Sequence, residues 1–207
     1  VEKYISKPHL KDFENSLPQI KKIIGVKSTN DMPKNFGIAG NTFRAYRNWK
    51  NRPSHNYQVW AKSVTDDILK SDKFPEIEEK EDFDVWHTSL AASLQKQWCQ
   101  IEGKPLSFAH TYKLVDLYIK FLSGFRFKNN TFLEGLIKNA NCALDSQIIK
   151  RINVCYDNML PVSKPSMGDI HGRSTYDFCQ NLIELFANCC GATRLEFDYW
   201  AWVKGNG

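Results

Sequence analysis

Apolar residues recur at three- and four-residue intervals over most of this chain, the spacing of one face of an α-helix. The strongest run sets Phe83, Trp86, Leu90, Leu94 and Trp98 on one stripe and predicts an amphipathic helix over residues 82–101. Weaker runs predict helices over Lys11–Ile24 and Tyr57–Leu69. Between these two, GVKSTNDMPKNFGIAGN carries Gly25, Gly37, Gly40 and Pro33, which mark an irregular connection. Asn41 or Thr42 can then cap a short helix in NTFRAYRNWKN, with Phe43, Tyr46 and Trp49 along one stripe, Arg44, Arg47 and Lys50 along another, and a stop at Pro53. The pattern predicts an all-α protein: one helical folding unit over residues 1–207, built as two closely packed helical lobes.

Two helix starts carry candidate chemistry. After the turn Gly103-Lys104-Pro105, Ser107 can cap a helix that runs to Gly124, with Leu114, Tyr118, Phe121 and Phe125 on its apolar face. Lys113 falls at the margin of that face beside Leu117, so its stem can be buried while its amine reaches a pocket, and Lys120 follows on the same side. In CALDSQIIKRINVCY, Asp145 follows a short apolar run and is placed to cap the next helix. FRFKNNT and FLEGLI lie between the two and are expected to contain a helical turn of their own. Near the C-terminus LEFDYWAW alternates, and taken alone it reads as a strand with Trp200 and Trp202 on one face. Asp169-Ile170-His171-Gly172 has no partner motif for a metal and reads as a loop.

Composition narrows the function classes. Hydrophobic residues make up 42% and aromatic residues 13%, enough to offset the entropy of ordering the chain, so a globular protein is expected. The net charge of +5, with a pI of about 8.8, suits a polyanionic partner without identifying one, and the acidic run PEIEEKEDFD is unsuited to a phosphate chain. No stretch approaches the roughly 20 apolar residues of a membrane span, and VEKYISKPHLKDFE lacks the apolar core of a signal peptide. The expectation is a cytoplasmic protein with no membrane partner. The six cysteines show neither Cys-x-x-Cys pairing nor the His spacing of zinc sites; they are expected to be buried thiols, with no metal and no cofactor.

The pairing of Lys113 with Asp145 resembles the helix-hairpin-helix base-excision DNA glycosylases, in which a lysine opening one helix and an aspartate preceding the next converge on a flipped nucleotide. The Gly-x-Gly hairpin of that superfamily is missing here: Leu106-Ser107-Phe108-Ala109-His110 stands before Lys113, and the stretch from Lys113 to Asp145 is longer than usual. In both departures the chain is similar to the archaeal 8-oxoguanine glycosylase branch. That branch also places an aspartate and a tryptophan four residues apart near the C-terminus, where they help to hold the extruded purine, and Asp198 and Trp202 match that spacing. The resemblance covers residues 105–156 and the C-terminal end of the chain.

It implies that Lys113 attacks the sugar C1′, that Asp145 stabilises the cationic sugar and moves protons, and that Asp198 and Trp202 hold the base. It further implies DNA as partner, a monomer, and an excised base that is oxidised guanine or another modified base. Without the resemblance, Lys113 is an ordinary snorkelling lysine and Asp145 a plain helix cap. Arg44, Arg47 and His110 are the candidate DNA-backbone contacts, although the two arginines equally fit the solvated face of an amphipathic helix. A non-enzymatic helical DNA-binding module and a protein-interaction domain are the alternatives. The separation of Lys113 from Asp145 in space is the deciding quantity.

Overall fold

A computed structural model describes residues 2–38, 42–43, 46, 49–70, 74–160 and 164–204. Among the described residues the chain forms eight α-helices: α1 (Lys7–Lys21), α2 (Pro53–Lys70), α3 (Lys80–Glu102), α4 (Phe108–Ser123), α5 (Asn130–Asn139), α6 (Ser146–Cys155), α7 (Arg173–Asn188) and α8 (Arg194–Lys204). The fold is all-α. Among the described residues, strand pairing is confined to a two-residue parallel ladder of β1 (Lys27–Ser28) with β2 (Phe125–Arg126). No helix among the described residues is long and apolar enough to cross a membrane.

Most elements follow the apolar spacing, with shifts that have local causes. In α3 the residues Phe83, Leu90, Leu94 and Trp98 are buried, and Gly103, at φ +73°, ends the helix by donating its N–H to Cys99 O at 2.9 Å. Pro53 opens α2 a turn earlier than the pattern places it, because a proline in the first turn sacrifices only an N–H that has no helical partner. The connection after β2 holds a full helix, α5, capped by Asn129, where a single turn was expected.

The short helix expected from Asn41 falls largely outside the described residues, as do Arg44 and Arg47. The described members of the aromatic stripe beside them pack inward. Tyr46 is fully buried, and the rings of Tyr46 and Trp49 lie 6.2 and 5.6 Å from that of Trp98.

The strand reading of LEFDYWAW is overturned. The segment belongs to α8, which turns Trp200 inward (1% exposed) against Phe13, Phe186 and Phe197 and leaves Trp202 at 37% exposed. Helical geometry therefore puts Asp198 and Trp202, not Trp200 and Trp202, on one side. The α7 helix was not anticipated, although Tyr176, Cys179, Ile183 and Phe186 recur at helical intervals and are all buried.

The buried side chains form two hydrophobic clusters. One gathers α2, α3, α4 and α5 around Trp60, Trp98 and Tyr118; the other gathers α1, α6, α7 and α8 around Phe13, Phe186 and Trp200. Helix α4 serves both: Leu114, Val115, Tyr118, Ile119 and Leu122 belong to the first, Ala109 to the second, and Tyr112 packs against each. After α1 the chain is fastened to the end of α4, where Gly25 N–H donates to Ser123 O at 2.8 Å and Lys27 N–H to Gly124 O at 3.0 Å. Gly37, at φ +79°, closes this loop onto the helix so tightly that a Cβ would stand 2.7 Å from Phe121 Cβ.

Candidate functional site

Ser107 caps α4 by accepting from His110 N–H. Lys113 lies in the second turn of that helix rather than at its start, a correction to the reading that it heads the helix. Asp145 is extended (φ −141°, ψ −177°) and caps α6, its Oδ1 accepting from Gln147 N–H at 2.9 Å and Ile148 N–H at 3.0 Å. The second carboxylate oxygen faces α4, and Lys113 Nζ stands 3.3 Å from Asp145 Oδ2. The structure thus brings these two predicted residues together, with side chains only 10% and 12% exposed. A 3₁₀ turn at Met167–Asp169 closes over the lysine, placing Met167 Sδ 3.9 Å from Nζ.

One and two turns further along the same stripe of α4 come Leu117 and Lys120, about 6 and 10 Å from Lys113 along the helix axis. Both line a cleft of about 390 Å³ together with Phe121, Tyr199 and Trp202. A cleft of this size, with an apolar and aromatic wall and few polar groups, suits a small planar ligand. Lys120 Nζ lies over the rings of Tyr199 (4.8 Å) and Trp202 (5.9 Å), a cation–π arrangement that fixes both the amine and the indole wall.

Asp198 comes to this region but turns away from the cleft. Its Oδ1 pairs with Lys120 Nζ, its Oδ2 accepts from Ala143 N–H at 2.7 Å, and it is almost fully buried. The described residues lining the cleft include Trp202 and Lys120 but not Asp198.

His110 sits one turn before Lys113. Its Nδ1 is 2.7 Å from Ser107 Oγ, its carbonyl accepts from Tyr46 O–H at 3.1 Å, and the two rings meet edge-on at 4.6 Å. It is therefore anchored at the start of α4. Behind the lysine, Asp116 joins three helices: His87 Nε2 lies 2.8 Å from its Oδ1, and Tyr176 O–H donates to its Oδ2 at 2.7 Å. Burial pushes the Asp116 carboxyl up, an effect the contacts with His87 and Tyr176 partly offset. His87 Nδ1 has no hydrogen-bond partner among the described residues. In the tautomer whose Nε2–H donates to Asp116, that nitrogen would be an unpaired acceptor, less costly to bury than an orphan N–H. Nothing in the sequence patterns signals this network, because its members are spread over α3, α4 and α7.

Of the six thiols, Cys142, Cys155 and Cys179 are buried as expected, whereas Cys99 and Cys189 are exposed. No group of three or more His, Cys, Asp or Glu side chains is arranged to hold a metal among the described residues. No protein-family model, curated protein or solved structure matches the chain.

Proposed function

We propose that this protein is a DNA glycosylase with lyase activity that removes a modified base from a flipped nucleotide. The observation that carries the reading is the approach of Lys113 Nζ to within 3.3 Å of Asp145 Oδ2 at the edge of the molecule's interior. One carboxylate oxygen is committed to the α6 cap, which fixes the group, while the other faces the amine.

A protonated amine has no lone pair, so Lys113 must release a proton before it attacks, and Asp145 Oδ2 is within reach to receive it. Attack by Nζ on C1′ forms the C–N bond and breaks the bond to the base, which departs with the electron pair and takes up a proton. The cationic sugar passes through its transition state beside the Asp145 carboxylate. Opening of the ring then gives a protonated Schiff base; loss of the acidified C2′ proton to a base forms the C2′–C3′ double bond and expels the 3′ phosphate with the electron pair of the C3′–O bond. In this reading the extruded base would enter the Leu117–Trp202 cleft one to two turns along α4, with the indole of Trp202, 37% exposed, as a stacking surface. The net charge of +5 favours the DNA backbone.

Borohydride trapping on duplexes carrying a panel of oxidised and otherwise modified bases tests this. A covalent adduct with the wild type and none with Lys113→Gln is expected. Salt-sensitive duplex binding without adduct or abasic product would instead identify a non-enzymatic DNA-binding module.

A further inference from the structure

We infer that Asp198, neutralised by Lys120, and Gln180 are positioning residues that aim Asp145 at Lys113, so that Asp198 acts through the chain leading to the site and not by reading the base. The inference rests on the glycosylase reading above. Residues 140–145 are all buried and belong to neither helix nor sheet, so their backbone groups need side-chain partners. Helices α7 and α8 supply them. Gln180 forms two hydrogen bonds with a single residue, its Oε1 accepting from Cys142 N–H at 2.9 Å and its Nε2–H donating to Cys142 O at 2.8 Å. Asp198 Oδ2 takes the next N–H, that of Ala143, at 2.7 Å. Arg194 donates to Asn139 O at 3.0 Å, closing the upstream end.

The segment is thus pinned at consecutive residues, two positions before the carboxylate that meets Lys113. Lys120 completes the device from α4 itself. By pairing with Asp198 Oδ1 it compensates a carboxylate that is otherwise in the interior, and it ties the pin to the helix that carries the nucleophile. Base reading would need a carboxylate edge open to the cleft, and both Asp198 oxygens are engaged elsewhere.

The full chain is tested on two duplexes, one carrying a modified base that the wild type excises and one carrying a preformed abasic site, which offers no base to read. Asp198→Asn leaves one acceptor for two donors, and Gln180→Met keeps the side-chain size while removing both bonds to Cys142. Positioning predicts that each variant slows adduct formation on the abasic duplex about 100-fold, the loss expected from a misplacement of about 1 Å, with duplex affinity unchanged. Base reading predicts that Asp198→Asn slows excision alone while trapping on the abasic duplex keeps its wild-type rate, and that result overturns the inference. A wild-type rate for Gln180→Met overturns it as well. Should either variant fail to fold, amide exchange in the wild type reads the pin directly: the Cys142 and Ala143 amides are expected to be as protected as those in the middle of α4, and loop-like exchange overturns the inference. A wild type that traps nothing on either duplex is a different failure, that of the glycosylase reading, and the positioning role falls with it.

Discussion

Replacing Asp145 by asparagine and by alanine separates the two tasks that its two oxygens divide. Asparagine caps a helix as well as aspartate does, so Asp145→Asn keeps an acceptor for Gln147 and Ile148 N–H and exchanges the charged acceptor that faces Lys113 for a neutral N–H donor. The pair is mostly buried yet still in contact with water, its side chains 10% and 12% exposed, so the stability loss is expected at about 1–3 kcal/mol, short of the largest values for fully buried pairs. Asp145→Ala also removes the cap and should lose about 1 kcal/mol more. Urea unfolding gives both differences. On activity the ranking changes: with the charge gone in both variants, each should trap at a rate lower by about 100- to 1000-fold, the scale for losing one preorganised electrostatic partner of a transition state. A wild-type trapping rate in Asp145→Asn, with stability lost only in Asp145→Ala, would reduce Asp145 to a helix cap and sink the mechanism.

Three further outcomes follow from the packing and the buried ionisable groups. Gly135→Ala gains about 1 kcal/mol of helix propensity, but its Cβ would stand 2.6 Å from Ile77 O, a carbonyl that Asn139 holds at 2.8 Å and that cannot retreat. Overpacking of about 1–3 kcal/mol wins, so urea unfolding should report a net loss, and a stabilised variant would contradict the packing. Because the Asp116 carboxyl is raised in the folded state, its contribution to stability is full below the unfolded carboxylate value and is lost as pH rises through the folded one. Wild type should therefore lose stability relative to Asp116→Asn as unfolding is repeated from acid toward neutral pH, and a flat difference would refute the assignment. Burial pushes the Cys155 and Cys179 thiols up to about 12 and 11, so at pH 8 iodoacetamide should modify the exposed Cys99 and Cys189 and reach Cys142, Cys155 and Cys179 only on unfolding; mass mapping of the labelled peptides decides.

Local signals made part of this molecule legible. The Asp145 cap and the Ser107 cap are readable because a capping residue acts on N–H groups two or three positions away, within the reach of the sequence pattern. The α8 helix was not, because the eight residues LEFDYWAW satisfy an alternating pattern as well as a helical one, and only the packing of Trp200 among Phe13, Phe186 and Phe197 decides between them. The four-residue spacing of Asp198 and Trp202 came from the family resemblance and becomes a shared side only because the segment is helical, yet spacing does not say which way a carboxylate turns. Gln180 left no signal, since it meets Cys142 from 38 residues away and a buried glutamine looks like any other in sequence.

The two lysines of α4 sit in different surroundings on one helix. Its position between the two hydrophobic clusters leaves a polar stripe at their boundary, and each lysine on that stripe meets an aspartate from the second group of helices. The two pairs differ in what else the carboxylate does. Asp198 is 2% exposed at its side chain and spends both oxygens on Lys120 and the Ala143 amide, an arrangement with nothing left to offer a substrate. Asp145 spends one oxygen on a helix cap and meets its lysine at 3.3 Å, with 12% of the carboxylate side chain open to solvent against 2% for Asp198. A buried, fully satisfied pair holds position, whereas a looser pair with a fixed carboxylate can exchange a proton and admit a sugar between its members. By that physical distinction Lys113, not Lys120, is the better match to the proposed nucleophile, and in that proposal the Asp198 pair would keep Asp145 in place.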